Sequence, residues 1–240
     1  MSTDRSTLAY TEATSPTEIS IGVVDLPNGT PRVPAPAIPM NLGQGLSISH
    51  DGNLVALAEG DVGVTMTHAP GTASTCVLQY DLRRPGGPIM TAFSPVADKL
   101  AVTKLDGGVN FFDLTHFPDC TLAASYVSPE DDGPWVGHLQ YSPDGSLLAI
   151  SVEWADATPD PEALLMTGAV RLLDAGTGAL VTEMPVYRWE MRSDTSGTYG
   201  PLVTDLQWSD AGDRIMASTS NGPVQQWDVA TGALLWSASL

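Results

Sequence analysis

The chain repeats itself, and the repeat limits what it can fold into more than any other feature. Four segments align from a turn serine to a position that is usually Asp: SHDGNLVALAEGDVGVTMTH (49–68), SPVADKLAVTKLDGGVNFFD (94–113), SPDGSLLAIS…GAVRLLD (142–174) and SDAGDRIMASTSNGPVQQWD (209–228). A fifth, partial copy opens the chain, where STDRSTLAYTE (2–12) lies over SPDGSLLAISV and ISIGVVD (19–25) supplies the closing stretch. Self-similarity at such a period means one supersecondary unit copied along the chain, each burying its apolar face against its neighbours. The closing positions are Asp25, His68, Asp113, Asp174 and Asp228, and the two long steps between them both flank Asp174.

Within a unit the residues read as strands. A turn rich in Asp, Gly, Ser and Pro precedes a short apolar run (LVALA, LAVT, LLAIS, IMAS), followed by a second turn and an alternating stretch such as VRLLD or VQQWD. After the Asp comes a Thr-Gly turn, in GTGAL (176–180) and ATGAL (230–234), and another strand; a last strand ends in Phe93, Tyr141 or Trp208 before the next serine. Four antiparallel strands per unit result, and no segment has a helical period long enough to compete.

The S-P-D-G turn, the L-L-A strand, the W-D or L-D dipeptide and the T-G turn resemble WD40-type β-propeller repeats over nearly the whole chain, with the TolB-like propellers as a related type. The resemblance implies an all-β ring of four-stranded antiparallel blades around a channel, about five in number. Two features depart from the family pattern: only the last unit keeps the dipeptide, as Trp227-Asp228, and Gly137-His138 lies four residues before Ser142, within a strand. The expected organisation is a single propeller domain over 1–240, with blades at 1–43, 44–87, 88–134, 135–202 and 203–240. Residues 1–43 supply only three strands, so the first blade lacks its innermost one. The expected ring is open or incomplete, to be completed by missing sequence or a partner chain.

Composition narrows the partner. With 28 acidic against 10 basic residues, the formal charge is −18, which repels nucleic-acid phosphate and anionic lipid. No nucleic-acid or membrane partner is expected. Neither an 18-residue apolar run nor a signal-peptide core occurs, so the expected location is cytoplasmic. Cys76 and Cys120 match no metal spacing or disulfide framework and read as small buried hydrophobes.

The third repeat carries about thirteen surplus residues, within EWADATPDPEALLMT (153–167). In a four-stranded meander this surplus falls in the loop between the second and third strands. The enlarged connections at 127–136 and 187–201 emerge on the same face by chain reversal alone. These three expected loops hold Trp135, Trp154 and Trp189, half of the six Trp, with Tyr187 and Tyr199. They also hold Glu130, Asp131, Asp132, Glu153, Asp156, Asp160, Glu162, Glu190 and Asp194 against Arg188 and Arg192. Aromatics with Arg are the material of interface hot spots, and acids beside them suit a basic partner. Trp135, Trp154, Trp189, Tyr199, Asp131, Asp132, Glu153 and Arg188 are therefore the candidate partner-binding residues. The bland alternative is that the tryptophans cover blade edges and the acids are simply solvated. PEALLM (161–166), with Pro161 first, is compatible with one helical turn.

Catalytic signatures are missing. His50, His68, His116 and His138 show no metal spacing, and neither a nucleophile elbow nor a phosphate loop occurs. The adjacent acids Glu130–Asp132 do not form an EF-hand loop. No catalytic residue, cofactor or metal is expected. The expected function is a non-catalytic scaffold for a protein or peptide. The alternatives are a propeller domain of a larger enzyme or sensor (peptidase, kinase or membrane-anchored), or a propeller that binds a sugar or small molecule.

Overall fold

The serine turns close the repeat by local hydrogen bonds. In the computed structural model, the Ser142 hydroxyl donates to Asp144 Oδ1 (2.6 Å), the Ser146 amide donates to the same oxygen (3.0 Å), and the Leu147 amide donates to Ser142 Oγ (3.0 Å). Gly145 follows at φ 71°, a conformation that costs a glycine nothing. The Ser49–Leu54 turn repeats this arrangement, and in the Ser209–Arg214 turn the serine hydroxyl donates instead to Asp213 while still accepting the Arg214 amide. The structure describes residues 2, 6–15, 18–26, 28–32, 38–39, 45–59, 63–68, 75–78, 90–104, 107–129, 135–160, 162–192 and 201–239. Among them every regular element is a strand.

Two units organise these strands. The first comprises residues 1–105 and 109–125. Its opening sheet has β1 (Thr7–Ser15) paired with β2 (Glu18–Asp25). Both β3 (Thr30–Arg32) and β4 (Ile38–Pro39) pair along β2, so they form one interrupted outer strand. Among the described residues this sheet has three strand positions where the others have four, in keeping with the strand count from the repeat. Next come β5 (Gly45–Ile48), β6 (Leu54–Glu59), β7 (Gly63–His68) and β8 (Thr75–Leu78), then β9 (Thr91–Phe93), β10 (Lys99–Thr103), β11 (Val109–Asp113) and β12 (Thr121–Tyr126), each set an antiparallel meander in chain order. Ile21 and Val23 pack on Ile48, Val55 and Leu57, while Ala56, Val64 and Met66 pack with Leu100, Val102 and Phe112. The Ser47 and Thr91 hydroxyls join β5 to β9 (2.8 Å).

Cys76 in β8 and Cys120 just ahead of β12 are bonded as a disulfide, which corrects the expectation of two free buried thiols. Packing of consecutive sheets brings together two residues 44 apart in sequence. Sequence spacing alone carries no sign of such a pairing.

The second unit, residues 106–108 and 126–240, holds two four-stranded sheets. One is β13 (Trp135–Tyr141), β14 (Leu147–Ala157), β15 (Ala163–Asp174) and β16 (Leu180–Arg192); the other is β17 (Val203–Trp208), β18 (Arg214–Thr219), β19 (Pro223–Asp228) and β20 (Leu234–Ser239). Their core joins Val170, Leu172 and Met184 to Trp208, Ile215 and Trp227. Burying a side chain of that size contributes roughly 2–3 kcal/mol. The Trp208 indole N–H also donates to the Gln140 carbonyl (3.1 Å). Asp174 and Asp228 cap their Thr-Gly turns through the amides and hydroxyls of Thr177 and Thr231. The repeating Asp is therefore a turn residue here.

The surplus in the third repeat is not a loop. β14 and β15 pair without a break from Leu147↔Asp174 to Ala157↔Leu164, and β16 follows β15 as far as Ala163↔Arg192. Most of EWADATPDPEALLMT thus extends the ladder, and Ala163–Met166 is strand where one helical turn was compatible with the sequence. The ladder's cross-strand bonds outweigh any gain from a single isolated turn of helix.

Candidate functional site

The extension is a three-stranded ribbon that runs beyond β13, whose pairing with β14 stops at Trp135↔Glu153. Its tip is closed locally. Thr158 Oγ1 donates to the carbonyl of Asp160 (2.9 Å), and Asp160 Oδ1 accepts from the Glu162 amide (3.0 Å). Thr and Asp form such turns readily, so T-P-D interrupts what is otherwise one long hairpin.

Cross-strand pairs share a face, and the register sorts the ribbon into two. On one face lie the rows Ala155–Met166–Trp189 and Ala157–Leu164–Met191, continued at the base by Trp135–Glu153–Gly168–Tyr187. On the other lie Trp154–Thr167–Arg188 and Asp156–Leu165–Glu190. The first face is apolar and open: Trp135 is 49% exposed, Leu164 40% and Met191 37%, with Met166 and Trp189 half-buried between them.

Of the residues proposed from sequence, this face brings together Trp135, Trp189 and Glu153. Trp154 and Arg188 sit on the opposite face. Trp154 lies over the Arg171 guanidinium, 5.3 Å from ring centroid to Cζ. Arg171 is 1% exposed; it donates to Glu183 (2.7 Å), the Tyr126 hydroxyl (2.9 Å) and Ser128 (3.2 Å). Trp154 thus covers a buried cation. Asp131, Asp132 and Tyr199 lie outside the described residues. Sequence reasoning missed Met191, and it considered Leu164 and Met166 only as part of a helical turn that packs on the blade or docks a partner. Their signal was the apolar run ALLM beside the alternation in WEMR, which read as strand once the segment is not assumed to be loop.

Glu153, 7% exposed, accepts the Val203 amide (2.9 Å) and so ties β14 to the first strand of the next sheet. Burial pushes its carboxyl above the usual range, and the Val203 bond only partly offsets this. The Tyr187 hydroxyl lies near this carboxyl without a well-aligned hydrogen bond. Burial, followed by the Glu153 charge, raises the phenol's ionisation well beyond its ordinary value. The Tyr187 ring covers Gly168, where any Cβ would collide with it. Burial lowers the pKa of His138, opposed by the charge of Asp205. Among the described residues no group of three His, Cys, Asp or Glu side chains is placed to hold a metal ion. No helix among them is long and apolar enough to cross a membrane.

No protein-family model matches the chain, and no curated protein does. Solved structures do match. The whole chain superposes on 64% of a chain of Kuenenia stuttgartiensis hydrazine synthase, with a TM-score of 0.65 and 15% identity. It also superposes in full on 84% of the β-propeller domain of Cps50 (Swd1) from Myceliophteria thermophila, with a TM-score of 0.50 and 14% identity. The fold is a β-propeller. At these identities the likeness concerns the arrangement of blades, and the chain spans 64% of the hydrazine synthase chain's length.

Proposed function

We propose that this propeller domain is a non-catalytic binding module that holds a protein or peptide, with basic residues, against the apolar face of the ribbon. The observation that carries the reading is the continuous run of Trp135, Leu164, Met166, Trp189 and Met191 on one face of a paired ladder. Trp supplies large rigid contact area, and Met adapts to varied partners. Exposed apolar residues gathered on one face mark interaction sites, whereas scattered ones do not. β20 also exposes Leu234, Leu235 and Trp236, but Trp236 pairs with Gln226, and the row Leu234–Trp227–Ile215–Trp208 is buried in the core from Trp227 inward, so no exposed apolar row spans that sheet. The net charge of −18 favours a basic partner.

Selection from a displayed random-peptide library against the intact chain tests this. Peptides rich in Arg or Lys and in apolar residues are expected to enrich, and Trp189→Ala or Trp135→Ala should reduce their binding about tenfold while amide exchange in the core stays the same. Failure of any peptide to enrich, or equal binding to the variants, would overturn the reading. A second reading, favoured by the partial coverage of the hydrazine synthase chain, is that the domain serves a longer enzyme or sensor and binds that protein's other parts by the same face.

A further inference from the structure

We infer that the partner enters as an added β-strand along the outer edge of β16, from Tyr187 to Arg192. The segment taken up would be extended and net-basic, with apolar residues at alternate positions. This rests on the reading of the ribbon as a binding face, and it adds how the partner is held and what sequence it must have.

Strand length is the first argument. β16 has 13 residues, against 6 each for β12 and β20 and 4 for β8, the other strands that end their sheets at the same position. It closes the order β13-β14-β15-β16, and no described strand pairs on its far side. An edge strand directs the N–H and C=O groups of alternate residues away from its sheet, and proteins normally blunt such edges with Pro, bulges or Lys. In β16 these devices stand at the base: Pro185 lies within the strand, and the register shifts between Tyr187↔Gly168 and Pro185↔Ala169. From Tyr187 to Arg192 the pairing is regular and the sequence YRWEMR holds no Pro, Gly or Lys. The long edge is therefore left able to pair where it borders the apolar face.

The faces supply the second argument. An added strand would extend the existing rows, so every second side chain would line up beyond Trp189–Met166 and Met191–Leu164. The side chains between would line up beyond Glu190–Leu165–Asp156 and Arg188–Thr167–Trp154. A cation suits the acidic row and a neutral polar residue the Arg188 row. Charge also selects the occupant: two copies of a chain with net charge −18 repel each other, whereas a basic segment is attracted. Backbone pairing would supply affinity and the alternating side chains specificity, as in other strand-addition complexes.

The probe is a blocked octapeptide in which leucine alternates with arginine and serine in turn, together with two analogues N-methylated at all leucines or at all the residues between them. Titration by Trp fluorescence is combined with amide exchange on the intact chain. The parent peptide is expected to bind, and one analogue to lose roughly tenfold or more because its methyls remove the inward hydrogen bonds. The other analogue should stay within about threefold of the parent, since its methyls point outward. Alternate amides between Tyr187 and Arg192 should gain protection. If both analogues bind like the parent and no amide is protected, the strand mode fails and the binding face stands. No binding by the parent, while library peptides still require Trp189, would also overturn the mode; no binding by either would overturn both readings. Concentration-dependent dimers abolished by Trp189→Ala, with no peptide uptake, would assign the edge to a second copy instead.

Discussion

The sheet of β5–β8 and the sheet of β13–β16 are built on the same repeat, yet they treat their outer strands in opposite ways. In the first, the outer strand is 4 residues long and its Cys76 is joined covalently to Cys120 beside the next outer strand. In the second, the outer strand runs to 13 residues and is held by a ladder that continues past the blade, with a buried Arg171 anchoring the strand inside it. The outer edge of a blade has little core behind it and must be secured by some other means. A covalent link suits a short strand. A long strand gains enough from cross-strand pairs to be held without one.

The comparison can be broken at several points. The largest effect is expected for Arg171→Ala, which removes a buried cation and leaves the Tyr126 and Ser128 hydroxyls without it. The second unit should lose about 3–4 kcal/mol, read as a lower urea midpoint with exchange accelerating in β14–β16 before β5–β8. Cys76→Ala with Cys120→Ala should cost about 2–3 kcal/mol and accelerate exchange in β7, β8 and β11 while β14–β16 keep their protection. If both substitutions melted the two units equally, the division of labour would be wrong.

Two glycines sharpen the point. Gly168 faces the ring of half-buried Tyr187, and Gly22 faces that of Tyr10, which is 39% exposed. Gly168→Ala should cost about 1–2 kcal/mol because its tyrosine is confined. Gly22→Ala should cost under about 0.5 kcal/mol, since an exposed ring can swing away. Thermal melts of the two variants decide this.

The smallest effect concerns pH. Glu153 has its folded pKa raised above the unfolded value, so the folded state holds the proton more tightly. The stability linked to this group is greatest below the ordinary carboxylate range and falls as pH rises through the raised pKa. Glu153→Gln keeps an acceptor for the Val203 amide without the buried charge. It should raise the melting temperature relative to the parent at pH 8 and make little difference at pH 4. Asp144 behaves oppositely. The Ser142 hydroxyl, with the Ser146 amide and hydroxyl, holds it below its usual value, so its contribution is lost only as the solution becomes strongly acidic.

The sequence was informative where chemistry is local. Ser142, Asp144 and Gly145 complete their turn within six residues, so the motif can be read directly and its copies counted. That count located the sheets and the strand missing from the first of them. The disulfide was hidden because Cys76 and Cys120 meet only through the packing of two sheets. The ribbon was hidden for another reason. Thr158, Pro159 and Asp160 announce a turn, and a reader extends that turn over Trp154–Ala157, where small residues alternate with larger ones, and over Ala163–Thr167, an apolar run that is strand. Glu153, grouped with the surface acids by its charge, is buried because Val203 in the next sheet supplies its hydrogen bond.

The unbroken pairing from Leu147↔Asp174 to Ala157↔Leu164 has a consequence for how such a chain can change over evolutionary time. The tip of a hairpin is the one point in a sheet where residues can be added without moving any pair already formed. A blade can thus lengthen there step by step, each added pair tested against what it touches, while the turns and core below remain in register. The ribbon is, in that sense, a part that can be lengthened, shortened or exchanged on a finished frame.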